Sequence, residues 1–137
     1  MFARQRGVEI LVENILNDLS TPKRLLEFFE HSHMRDLKVC FDAGNAHLDG
    51  GVDDALELLR GRIASTHLHD NAGAKDEHLL PGEGKVPWER VVRNLRQQSS
   101  DLCFLLELRG GEGGSVNLGK AAEAASRLER MLEEPSS

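Results

Sequence analysis

The sequence predicts an α/β fold built on parallel strands. Four short apolar runs alternate with four stretches of helical pattern, and such alternation implies parallel strands joined by right-handed crossovers. The runs are also nearly all apolar, as expected where helices cover one face of a sheet and a core the other.

VEILVEN (8–14) is the first run, rich in β-branched residues. STPKRLLEFFEHS follows, where Ser20 or Thr21 can cap a helix and Pro22 suits its first turn. Leu25, Leu26, Phe28 and Phe29 give that helix its apolar face. LKVCFDAG (37–44) is the second strand, ended by glycine. VDDALELLRG (52–61) is a short helix with Gly61 as terminator. RIASTHLHD (62–70) is the third strand, a long loop follows, and VPWERVVRNLRQQ (86–98) is an amphipathic helix. DLCFLLELRG (101–110) is the fourth strand. GGEGG then forms a flexible loop before VNLGKAAEAASRLERMLEE (116–134), a helix rich in good formers. One domain over residues 1–134 is expected, with a frayed tail at 135–137.

The totals narrow the function. Across 137 residues, 39 % are hydrophobic, enough for a core and against wholesale disorder. Aromatics are 4 %, with a single tryptophan, Trp88, and no tyrosine, so the core must be mainly aliphatic. A net charge of −6 with no basic run longer than two residues argues against a nucleic-acid partner. No apolar stretch reaches membrane-spanning length, and MFARQRGVEILVEN is too short in its apolar part for a cleavable signal. Cys40 and Cys103 sit inside apolar runs and read as reduced core thiols, which places the chain in the cytoplasm.

The strand ends carry the chemistry. The four runs end at Glu13, Asp42, His67 and Glu107. Side chains alternate between faces, so Ile10 and Val12 should face a helix while Leu11 and Glu13 face away. Val39 and Phe41 divide likewise from Cys40 and Asp42, and Phe104 and Leu106 from Leu105 and Glu107. Three carboxylates and one imidazole then share one side and one end of the sheet, where parallel α/β folds gather ligands. Like charges brought so close cost several kcal/mol unless protons or a cation neutralise them. One divalent ion with three oxygen ligands and one nitrogen solves this. Mn²⁺, Zn²⁺, Co²⁺ and Mg²⁺ all suit such a set.

In order, VEN (12–14), FDAGNAH (41–47), HLHDN (67–71), DEHLLPGEG (76–84) and LLEL (105–108) resemble the sugar phosphate isomerase/epimerase branch of the xylose isomerase-like TIM barrels, the superfamily that includes endonuclease IV. The resemblance covers residues 6–132 and only the C-terminal half of an eight-unit barrel. It implies that Glu13, Asp42, His67 and Glu107 bind one divalent metal. It implies proton transfer on a sugar or sugar-like hydroxy-ketone, with Glu13 and Glu107 as the catalytic pair and a metal-stabilised enediolate. His47, His69, Asp76, His78 and Arg109 would then contact substrate, with His69, Asp70, Asp76 and His78 lining the mouth of the pocket. Asp76 and His78 also match the endonuclease branch, where they help to hold a further zinc. The third ligand of that site, a histidine in the family, is Asn45 here. A zinc phosphoesterase acting on abasic DNA is therefore the weaker alternative, and a non-catalytic half barrel is another. Four strands leave two open edges and one uncovered face, so the half barrel should be completed by a homodimer.

Overall fold

Period-two alternation sorts the strand side chains between two environments. The computed structural model describes residues 2–34, 36–110 and 117–133. Three strands, β1 (Leu11–Glu13), β2 (Lys38–Asp42) and β3 (Ile63–His67), form a parallel sheet in that order. Val12 pairs with Val39 and Glu13 with Cys40; Phe41 pairs with Thr66 and Asp42 with His67. A register shift between Val39 and Cys40 skips Ala64, so both strands end level.

The helices are α1 (Phe2–Gln5), α2 (Pro22–His31), α3 (Ala43–Leu48), α4 (Val52–Leu58), α5 (Trp88–Gln98) and α6 (Leu118–Glu133). Helices α2, α4, α5 and α6 pack in a row, each against the next. Val39 and Phe41 point into this layer and meet Leu25, Phe29, Leu56, Leu59, Val92 and Leu95. Each fully buried Leu or Phe stabilises by about 1.5–3 kcal/mol, so the sheet–helix layer carries the fold. The opposite face of the sheet is open: Leu105 is exposed, and so is Cys103, which is not the core thiol expected, whereas Cys40 is buried.

Several expectations need correction. Ile10 lies outside β1 and is exposed rather than set against a helix. Thr21, not Ser20, caps α2 by accepting from the Arg24 N–H at 3.3 Å. Phe28 is exposed, while Leu25 and Phe29 are buried. Helix α4 stops at Leu58, before Gly61. The short helix α3 stands where only the end of a strand was expected, because the Asp42 side chain caps it by accepting from the Asn45 N–H.

The fourth strand is reduced to one parallel bridge, Leu68 to Leu106, with Leu68 N–H donating to Leu105 at 2.8 Å. Beside it the Thr66 hydroxyl does the work of the ladder, donating to Cys103 O and accepting from Leu105 N–H. Leu102 is core and Phe104 and Leu106 pack against it, so the alternation holds there without a regular strand. Most of the GGEGG loop and the tail at 135–137 lie outside the described residues.

Candidate metal centre

The ends of β1, β2 and β3 and the segment bridged at Leu106 deliver inward side chains to one place. Glu13, Asp42, His67 and Glu107 each offer a ligand atom, and these atoms all lie within 4.8 Å of one another. His67 Nδ1 is 2.9 Å from Glu13 Oε1 and 2.8 Å from Glu107 Oε2. A ring N–H aimed at Glu13 cannot also serve Glu107, whose Oε2 is buried without a hydrogen bond. Asp42 is 1 % exposed, whereas the other three are half-buried and open to a ligand.

Asparagines hold the frame. The Asn14 side chain accepts from Asp42 N–H at 2.9 Å and donates to Asp42 O at 2.8 Å, which locks β1 to β2. Asn45 donates its amide to Asn14 O at 3.2 Å. Asn45 is thus a strut beneath the ligands rather than an impaired zinc ligand. Asn14 was missed because an amide after a strand-end Glu carries no pattern of its own.

His69 is not at the mouth of a pocket. Its side chain is 0 % exposed, and Nε2 lies 3.0 and 3.1 Å from the two Asp42 oxygens. Burial opposes its charging, but the hydrogen bond to Asp42 and the charges of Asp42, Asp76 and Glu107 prevail, leaving its pKa above the usual imidazole value. Its Nδ1 has no hydrogen bond and faces Asp76 Oδ1, likewise unbonded, at 3.6 Å. His78 stacks on His69 at 4.0 Å and reaches Asp76 Oδ2 at 3.0 Å and Glu107 O at 3.3 Å. His69, Asp76 and His78 form a second cluster with metal-ligand atoms close together.

Asp70 is not at the mouth either. It is wholly buried and accepts from Asn71 N–H, Gly82 N–H, Val86 N–H and the Trp88 indole. It is the latch that folds the long loop back onto α5. Gly84 is required beside it, since a Cβ there would fall 2.3 Å from Asp70 Oδ1. His47 is half-buried in the last turn of α3, near Gly73, and belongs to neither cluster. Arg109 is exposed and lines a cavity of about 400 Å³ with Glu77, His78, Asn117 and Lys120.

A parallel sheet backed by a row of helices, with titratable side chains gathered at the carboxyl ends of its strands, is the arrangement of the parallel α/β class to which TIM barrels belong. The chain belongs to the xylose isomerase-like TIM barrel family, whose profile it matches over residues 1–132. It is similar to a D-tagatose 3-epimerase-like protein, with a TM-score of 0.76 and 27 % identity over 96 % of this chain and 49 % of that one. It shares the fold of a D-psicose 3-epimerase solved with D-fructose, at 18 % identity and a TM-score of 0.73, over 97 % of this chain and 52 % of that one. An uncharacterised protein of Methanocaldococcus jannaschii is 30 % identical over 138 aligned positions, 96 % of this chain and 45 % of that protein. The chain thus spans about half the length of these relatives. Among the described residues, no helix is long and apolar enough to cross a membrane.

Proposed function

We propose that the chain is the metal-binding half of a sugar isomerase- or epimerase-like barrel that moves a proton on a small hydroxy-ketone. The convergence of Glu13, Asp42, His67 and Glu107 within 4.8 Å carries this reading. The residues fit a divalent ion: Glu107 Oε2 is buried and unbonded, and two carboxylates compete for one imidazole nitrogen. The mixed oxygen and nitrogen set suits Mn²⁺, Co²⁺, Zn²⁺ or Mg²⁺. When bound, such an ion supplies Lewis-acid stabilisation of the charge that develops on neighbouring substrate oxygens.

The chain's own groups do the rest. Glu13 and Glu107 come from the first and fourth strand positions and both reach His67 Nδ1. One carboxylate takes a proton from the carbon beside the carbonyl and the other returns it, to a neighbouring carbon or to the other face. Asn14 and Asn45 keep the two strand ends in register while this happens. His78 and Arg109 line the cavity on the rim, which supports a role for them in meeting substrate hydroxyls or an anionic group. The D-tagatose 3-epimerase-like protein among its structural neighbours supports the substrate class. A second copy of the chain would supply the remaining strands over the open face.

Elemental mass spectrometry on protein purified without chelator should find about one divalent ion per chain, lost in Asp42→Asn. A panel of ketoses should then show epimerisation or isomerisation that Glu107→Gln abolishes. A loaded chain that turns over no ketose would mark a non-catalytic half barrel. No ion after incubation with Mn²⁺, Co²⁺ and Zn²⁺ would sink the reading. Light scattering of dilute, folded protein should give twice the chain mass, and a monomer would refute the paired barrel.

A further inference from the structure

We propose that His69 is a positioning residue whose Nε2–H sets the plane of the Asp42 carboxylate for an ion held by Glu13, Asp42, His67 and Glu107. The inference rests on the metal reading above and goes beyond it.

The backbone of Asp42 is clamped on both sides by the Asn14 side chain, so only the carboxylate torsions remain free. Asn45 N–H takes Oδ1 at 2.7 Å, which leaves the carboxylate able to swing about that bond. His69 Nε2 straddles both oxygens, at 3.0 and 3.1 Å, and removes the swing. The imidazole itself cannot turn away. Its ring lies against Gly44, where a Cβ would fall 2.1 to 2.7 Å from Cε1, Nδ1 and Nε2. His78 stacks over it at 4.0 Å with 13° between the planes. A donor fixed by glycine, a stacked ring and complete burial is what orients a ligand carboxylate.

The same cluster could be read as a second ion site, because His69 Nδ1 and Asp76 Oδ1 are both unbonded. The ring geometry decides against it. Imidazole lone pairs lie in the ring plane, and two near-parallel rings stacked 4.0 Å apart cannot aim them at one ion. His78 also holds a position sparsely used by non-glycine residues, φ 50°, where strain persists only if surroundings impose it. Its contacts to Asp76 and Glu107 O and its stacking on His69 supply that constraint.

The test is Mn²⁺ titration, followed by loss of the free-ion paramagnetic resonance signal, with melting of the metal-free protein measured on the same samples. Asn reaches only as far as Nδ1, whereas Gln reaches the position of Nε2. His69→Asn should weaken Mn²⁺ binding about 10- to 100-fold. His69→Gln should stay within about threefold of wild type, although both variants melt at similar temperatures without metal. His69→Phe fills the ring space without a donor and should resemble His69→Asn; it carries the test if His69→Asn does not fold. Wild-type affinity in His69→Phe or His69→Asn would show that the ring only packs, and would overturn the proposal alone. So would a His69→Gln variant as weak as His69→Asn. Two ions per wild-type chain, the second lost in Asp76→Asn, would make the cluster an ion site instead. A wild-type chain that binds no Mn²⁺ would overturn the metal reading and this inference with it.

Discussion

Asp70→Asn should destabilise the fold far more than its near-identical shape suggests. Asp70 is 0 % exposed, and each carboxylate oxygen takes two donors. Oδ1 accepts from Asn71 N–H at 2.8 Å and Val86 N–H at 3.0 Å; Oδ2 accepts from Gly82 N–H at 2.8 Å and the Trp88 indole at 2.7 Å. An amide replaces one of those acceptors with a donor, whichever way it is turned. Two buried N–H groups are then left facing an NH₂, at about 1–3 kcal/mol each. The expected loss is about 4 kcal/mol, a large share of the roughly 5–15 kcal/mol that holds a typical domain. Urea unfolding followed by Trp88 fluorescence measures it well, since Trp88 is the single tryptophan and sits in the latch. Asp76→Asn is the control: it lies in the same loop, but its side chain is 36 % exposed, and it should cost under about 1 kcal/mol. A loss below about 1 kcal/mol for Asp70→Asn would refute the latch.

Two further outcomes follow from the open face and the tight glycine. At pH 8 a thiol reagent should label Cys103 quickly and Cys40 slowly, because Cys103 is exposed while burial, with nearby Glu13, Asp42 and Glu107, pushes Cys40 up to about 11. Cys103→Ser should remove the fast phase, and protection of Cys103 at high protein concentration would show a copy closing over it. Gly44→Ala should destabilise even though alanine favours a helix by about 1 kcal/mol. The new Cβ meets the buried His69 ring at 2.1 Å, an overpacking worth about 1–3 kcal/mol, and a variant as stable as wild type in urea would refute the contact.

The convergence of Glu13, Asp42, His67 and Glu107 was legible because it depends on two backbone rules, side-chain alternation and the ends of parallel strands. Neither rule needs to know what packs where. Glu107 is the clearest case: its segment makes only one bridge to the sheet, yet alternation alone predicts its direction. Helix α3 was not legible, because FDAGN reads as a strand running into a glycine turn. Its start depends on Asp42 acting as both a strand end and a cap. That the chain spans about half the length of its relatives was legible too, in the count of β-α units.

His69 and Asp70 show where pattern reading ran out. The sequence sends both toward the mouth of the pocket because they follow the last β3 residue. Carried two steps further, the alternation places His69 on the side of His67 and sends Asp70 to the side of Leu68, under α5. A carboxylate sent to the apolar side must find donors there, and Gly82, Val86 and Trp88 are those donors, brought back by the turn at Pro81. An imidazole sent inward beside a strand-end carboxylate must bond it, and Asp42 is that carboxylate. Neighbours in sequence thus do opposite work, Asp70 closing the loop and His69 bonding Asp42. Exchanging their side chains should therefore disrupt both, although the composition of the loop would be unchanged.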